Sequence, residues 1–296
     1  MDGMSVKPTS MTAKNIRSLK SGQKPERGGL KQHKSFSALV RAFYKVHARG
    51  LPWRKTKNPY RILVSEIMLQ QTQVDRVIPK YKAFLKKFPT VRALADASLG
   101  DVLREWQGLG YNRRAKMLHE AAKEVVVKYD GKIPRTYIDL LNLRGVGEYT
   151  AKAVRVFAWN EPEVMIETNI RSVFIHHFFP NKVVVSDEDL HPYMGEFLDK
   201  KNSREWYAAL MDYGSYLKKT FPNPSRKSVH HTRQKPFKGS DREIRGALLR
   251  ELSKKPLTPK ELDMLPFQNR RISAQLKRLI QEGFVTLRKF KYALSD

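Results

Sequence analysis

Between Phe36 and Lys219 no six-residue stretch alternates apolar and polar side chains, whereas apolar residues recur at spacings of three and four. A half-buried strand needs a period of two, so this part of the chain is expected to be all helix. Phe36, Leu39, Val40, Phe43 and Tyr44 share one helical face that ends by Gly50. Asn58-Pro59 is a start signal, with proline at the first helical position, for a helix carrying Ile62, Leu63 and Glu66 that breaks near Gln70. Thr72 and Asp75 have the spacing of a capping box for the next helix, whose expected buried stripe is Val74, Ile78, Tyr81, Leu85 and Phe88. Further helices are expected over 101–107, 112–129, 136–142, 149–159, 169–179, 187–200 and 203–219.

The pattern changes twice more. Residues 1–34 scatter lysines and arginines among Ser, Thr, Gly and Pro with no apolar period, and read as a disordered basic tail. Residues 223–239, which follow Pro222 and open on Asn223-Pro224-Ser225, read as a linker. From 240 to 296 a helix beginning near Ser240 and Glu243, a short helix after Thr258-Pro259 and a longer one over 269–282 are followed by two short apolar runs separated by Arg288, Lys289 and Lys291. Three helices and a basic hairpin resemble a winged helix. Its third helix would present Asn269, Arg270, Arg271, Gln275 and Lys277 for DNA contact. The core between 35 and 222 forms the main domain.

The chain holds 57 Lys and Arg against 29 Asp and Glu over 296 residues, a formal charge of +28. Such an excess points to a polyanionic partner, with nucleic acid first. No apolar run nears the roughly 20 residues that cross a bilayer, and no signal-peptide core opens the chain, so a cytoplasmic, DNA-associated protein with no membrane partner is expected. With no cysteine, disulfides and thiolate metal sites are excluded.

Two blocks carry chemistry. Ser65-Glu66-Ile67-Met68-Leu69-Gln70-Gln71-Thr72 places one carboxylate among apolar neighbours, followed by amides and a hydroxyl. Desolvation raises a carboxyl pKa, and such a group can act as a general acid, while glutamines can fill the space left by a base extruded from a duplex. A surface glutamate beside a polar turn would also fit this one run. The second block, Leu140-Leu141-Asn142-Leu143-Arg144-Gly145-Val146-Gly147-Glu148-Tyr149-Thr150-Ala151, resembles a helix-hairpin-helix motif. Gly145, Val146 and Gly147 would bring backbone close to a phosphate held by the amides of the following helix.

With Leu51-Pro52-Trp53-Arg54, Pro59-Tyr60, Phe88-Pro89-Thr90-Val91, Gly108-Leu109-Gly110-Tyr111 and Asp212-Tyr213-Gly214, these blocks resemble the helix-hairpin-helix DNA glycosylases. Within them, the chain resembles the A/G-specific adenine glycosylases of the MutY type from about Phe36 to Leu217. The resemblance implies an all-α glycosylase fold with a small winged-helix-like addition, acting as a monomer on mismatched double-stranded DNA. It implies that Glu66 protonates adenine at N7 and that a carboxylate near Asn169 offsets the oxocarbenium charge; this chain has Glu167 where the family keeps Asp. Tyr149 stands where bifunctional relatives like endonuclease III keep a Schiff-base lysine, which implies a monofunctional enzyme, with Lys152 a phosphate contact. By the same resemblance Gln71 and Thr72 lie near the orphan base, Tyr111 wedges into the duplex, and Arg54 and Asp212 contact the flipped base.

Two family features are missing: the four cysteines of an iron–sulfur cluster and the Nudix-like domain that reads 8-oxoguanine. No cofactor is therefore expected. A thymine or uracil mismatch glycosylase, and a mismatch binder without catalysis, remain as rival readings. A transcription regulator built on the winged helix would leave the glycosylase residues unexplained.

Overall fold

The computed structural model describes residues 30–232 and 236–295, with side chains from Lys34 onward. Residues 1–29, most of the expected basic tail, lie outside the described residues, as do 233–235 of the expected linker. The described chain is helical apart from one C-terminal hairpin. It divides into two compact units.

The larger unit comprises Arg49–Met165, Lys200–Arg204 and the chain from Thr232 to its end. Asn58 caps the helix α2 (Pro59–Leu69) by accepting the Arg61 amide at 3.1 Å, and Pro59 at the first position needs no intrahelical donor. Every residue of α2 from Ile62 to Met68 is buried. A helix apolar on all sides belongs in the centre of a bundle, and α2 packs against α3 (Val74–Lys87), α6 (Arg113–Tyr129) and α8 (Glu148–Trp159). Two short helices, α4 (Val91–Ala95) and α5 (Leu99–Trp106), are capped by Thr90 and Ser98 and pack on α6. The short α7 (Tyr137–Leu141), capped by Thr136, leads into α8 through a tight hairpin.

Two local expectations need correction. Thr72 does not cap α3; Gln73 holds the cap position without a side-chain bond, because the Thr72 hydroxyl is drawn into a tertiary network described below. The α3 stripe is also rotated: Val77 and Phe84 are fully buried with Tyr81 and Phe88, while Val74, Ile78 and Leu85 are only partly covered. Neighbours on more than one side shift the buried face away from the periodicity maximum.

The C-terminal segment contributes α12 (Asp241–Leu252), α13 (Pro259–Asp263), α14 (Asn269–Gln281) and the antiparallel strands β1 (Val285–Arg288) and β2 (Lys291–Leu294). Ile244, Leu248, Leu252, Ile272, Leu279 and Phe284 belong to the same apolar cluster as Leu63, Phe84 and Trp106. Polar ties add to it: Arg113 and Arg245 each grip the Glu282 carboxylate with two nitrogens, at 2.8 and 3.0 Å and at 2.7 and 3.1 Å. Those guanidiniums, Arg113 first, hold Glu282 down to about 2.

The smaller unit comprises residues 30–48, Ile166–Asp199 and Glu205–His231. Its elements are α1 (Leu30–His47), α9 (Thr168–Phe178), α10 (Asp187–Glu196) and most of α11 (Ser203–Thr220). Its core is aromatic: Phe36 meets Phe174, Phe178, Phe197 and Trp206 at centroid separations of 4.9 to 6.2 Å. Residues 223–229, within the stretch that composition marks as linker, are packed here. Asn223 accepts from Ser225, Lys227 donates to the Phe179 and Pro180 carbonyls, and Val185 pairs with Ser228 as a parallel bridge.

Candidate active site and nucleic-acid interface

In the larger unit, Glu66 lies on the central helix with 6% of its surface exposed, amid Ile62, Leu63, Ile67 and Met68. Most glutamates stay at the surface, so this one is held where a carboxyl is desolvated. The helix ends at Gln70, and Gln71 takes a left-handed backbone with φ 54°. That reversal exposes Gln71, while the Gln70 amide reaches the Thr150 hydroxyl on α8 at 3.4 Å.

A second turn, Gly108 to Tyr111, lies beside the first. Tyr111 is 39% exposed, with left-handed φ 49°. One side chain ties both turns together. The buried Arg114 donates through Nη1 to the carbonyls of Ile67, Met68 and Gln70 at 2.8, 2.9 and 2.5 Å. Through Nη2 it reaches the Thr72 hydroxyl at 3.0 Å and the Gly110 and Leu109 carbonyls at 3.1 and 3.4 Å. Its guanidinium also sits 5.5 Å from the rings of Trp106 and Tyr111. A cation at the carbonyl end of α2 satisfies the last acceptors and complements the helix dipole. Burial lowers the Arg114 pKa to about 10, which leaves it charged at neutral pH. Sequence reasoning missed this residue, because its partners are mostly backbone carbonyls that leave no trace in residue identity.

The hairpin between α7 and α8 matches the expected motif. Gly145 adopts φ 73°, and a Cβ there would meet Met117 at 2.6 Å, so both backbone and space require glycine. Val146 is buried and anchors the loop. Gly147 begins α8 with extended backbone, no side-chain cap, and open space where a Cβ would stand. The first amides of α8 lie at the positive end of its dipole, the kind of helix start at which anions can be bound. Tyr149 lies half-buried in the first turn, and the Lys152 ammonium sits 5.9 Å above the Tyr137 ring. Arg54, in a short 3₁₀ turn after the buried Trp53, donates to the Arg49 carbonyl at 3.4 Å.

In the smaller unit, Glu167 caps α9. One carboxylate oxygen accepts the amides of Asn169 and Ile170 at 2.8 and 2.9 Å, and the other accepts the Asn169 side-chain amide at 3.1 Å. Caps are usually shorter residues, and here the extra methylene is taken up in curling back to the helix start. Asp212 is buried on α11, with 3% exposed. Two residues on, Gly214 meets the first turn of α9 so closely that a Cβ would fall on the Asn169 carbonyl. Thus Glu167, Asn169 and Gly214 form one local assembly, whereas Glu66, Gln71, Thr72, Tyr111, the hairpin and Tyr149 belong to the larger unit.

A buried glutamate on a central helix and a glycine turn between two helices thus lie in the same unit. Residues 64–260 match the HhH-GPD superfamily of base excision DNA repair proteins, and the chain belongs to that family. It is 35% identical over 243 residues to an adenine DNA glycosylase of Mycolicibacterium smegmatis, covering 76% of this chain and 83% of that protein. It is 38% identical over 146 residues to an adenine DNA glycosylase of Buchnera aphidicola, of which it spans only 42%. Among solved structures it resembles a thermostable thymine-DNA glycosylase, at 27% identity and a TM-score of 0.57, over 62% of this chain and 87% of that one.

Proposed function

We propose that this protein is a monofunctional DNA glycosylase that removes adenine mispaired with guanine or 8-oxoguanine. The observation that carries this reading is the 35% identity to an adenine DNA glycosylase across three quarters of the chain. In the proposed reaction the Glu66 carboxyl donates its proton to adenine N7, the bond from sugar C1′ to N9 breaks, and adenine departs neutral. The oxocarbenium charge left on the sugar is offset by the Glu167 carboxylate, with Asn169 beside it. Water adds at C1′, loses its proton, and leaves an intact abasic site. Tyr149, a phenol, forms no Schiff base, so no strand cleavage follows.

Flipping the target base costs a few kcal/mol, least at a mismatch. Tyr111 and the Gln70-Gln71-Thr72 turn are assigned to the gap and the orphan base, and Arg54 and Asp212 to the extruded base. Gly145, Val146, Gly147 and Lys152 are assigned to the phosphate. The protein is proposed to act as a monomer and without an iron–sulfur cluster. The residues present do not fit such a cluster: there is no thiolate donor in the chain, and the segment after α11 is fastened instead by Asn223 and Lys227.

The likeness to a thymine-DNA glycosylase favours a second reading, removal of thymine from G·T. A panel of duplexes carrying A·8-oxoguanine, A·G, T·G and U·G, treated with alkali after incubation, separates the two. Release at A·G or A·8-oxoguanine is expected, and Glu66→Gln should slow it by at least about 100-fold, the usual worth of a general acid, with DNA binding retained. Cleavage at T·G without either adenine mispair would replace the proposal with its rival. Mispair binding with no release would leave a binder.

A further inference from the structure

The tip of the C-terminal hairpin is built against its own stability. Arg288 and Lys291 pair across a two-residue loop, and both loop residues, Lys289 and Phe290, are left-handed, with φ 45° and 63°. This is the pattern of a type I′ turn, which favours Asn-Gly, because a side chain with left-handed φ strains the backbone. A lysine and a phenylalanine occupy it instead, and the Phe290 ring is 90% exposed. Leu287 beside it is 57% exposed. Lys289 and Lys291 flank the ring in sequence, with Arg288 just before them. Strain and an unburied aromatic ring at one point are the combination that a contact with another molecule repays.

In the helix that the sequence offers for DNA, two of the five named positions are committed elsewhere, while Asn269, Arg270 and Lys277 are exposed. Gln275 is 3% exposed, and Arg271 donates to the Asp241 carboxylate at 2.8 Å and the Gly239 carbonyl at 3.0 Å, which corrects the expectation that both face a ligand. The hairpin, by contrast, rises from the neighbourhood of the Tyr111 turn. Phe284, just before β1, lies 5.5 Å from the Lys116 ammonium on α6, the helix that starts after Tyr111. Arg242 on α12 donates to the Tyr111 hydroxyl at 3.2 Å.

We propose that the hairpin tip, Arg288 to Lys291, is a second DNA contact, in which Phe290 lies against the sugars and bases of a groove beside the mispair while Arg288, Lys289 and Lys291 meet phosphates. The proposal rests on the DNA reading above, and it extends the footprint along the duplex rather than changing the chemistry. A polyanionic duplex is the partner because Lys289 and Lys291 stand on either side of the exposed ring.

The test uses the full chain, fluorescence anisotropy, and two duplexes: one running well past the mispair, and one trimmed to the bases around it. Phe290→Ala should weaken binding of the long duplex about tenfold, the scale of one lost aromatic–base contact, and leave the short one unchanged. Neutralising Arg288, Lys289 and Lys291 to Gln should lower the slope of log K against log salt by about 2 to 3. The double change Lys289→Asn with Phe290→Gly gives a readout that a structural role would not: the melting temperature should rise as strain is relieved, while affinity for the long duplex falls. Single-turnover base release at saturating DNA should stay at the wild-type rate in every variant. Long-duplex affinity within twofold of wild type in Phe290→Ala and in the triple variant would overturn the proposal. If wild type releases no base but Phe290→Ala still weakens binding, the hairpin contact stands and the glycosylase reading falls.

Discussion

Two helices in this protein begin in opposite ways. α8 opens on Gly147, with no side-chain cap and empty space at the glycine, whereas α9 opens on Glu167, whose carboxylate closes over its own first amides. Both starts lie at the positive end of a helix dipole, where the first amides cannot be paired by the preceding turn. What differs is whether the chain supplies the anion itself. The uncapped start has no side-chain acceptor of its own, and the capped one fixes a carboxylate in place. A similar helix end is thus left without a side-chain cap in one unit and holds a carboxylate in the other.

The sharpest way to break this comparison is to add one methyl group at each close approach. Gly214→Ala should cost about 3 kcal/mol, at the upper end for overpacking, because the new Cβ meets the backbone carbonyl of Asn169, which cannot swing aside. A denaturant midpoint close to wild type would show that α9 is not braced by α11. Acid should loosen α9 next. Burial, with His176 beside it, holds His177 down to about 3, and its Nε2 lies 2.9 Å from the Tyr213 hydroxyl. Because the unfolded chain takes up this proton at an ordinary value near 6.5, stability is present above that pH and is lost as pH falls toward 3. Between pH 6.5 and 5 the loss from this group should be about 2 kcal/mol, and His177→Phe should remove that dependence from the urea titration. α8 contains no histidine, so the hairpin should lack this source of acid sensitivity.

Smaller effects sharpen the contrast further. Glu167→Ala should lower stability by about 1 to 2 kcal/mol through loss of the cap, and base release should fall with it. Glu167→Asp tests the methylene directly: retained stability with changed single-turnover rate would separate the capping role from the electrostatic one. Gly147→Ala should have the least effect on stability, below about 1 kcal/mol, since its Cβ enters open space. Its effect should appear as weaker DNA binding, and unchanged affinity would mean that the α8 start is not the phosphate site.

Much of the architecture was legible in the chain itself. The helical period, the Asn58-Pro59 start, the Gly145-Val146-Gly147 turn and the short hairpin after Gly283 are all local, decided by backbone preference and capping within a few residues. Glu66 was legible for a related reason: a single carboxylate in an apolar run has few places to go. The errors lay where distant partners compete. Thr72 has the spacing of a cap but is taken by Arg114, and Gln275 has the spacing of a DNA-facing residue but is buried.

The sequence by itself determined which segments are helices and where the glycine turn between two of them lies, because these depend on residue type and near neighbours. Only the tertiary structure decided that Arg114 locks the Gln70–Thr72 and Gly108–Tyr111 turns into one body, that Gly214 is a contact with Asn169, and that the C-terminal module shares its core with the helices around Glu66. Those outcomes depend on carbonyls, clearances and shared apolar surface between residues far apart in the chain, and none of these is written in a local pattern.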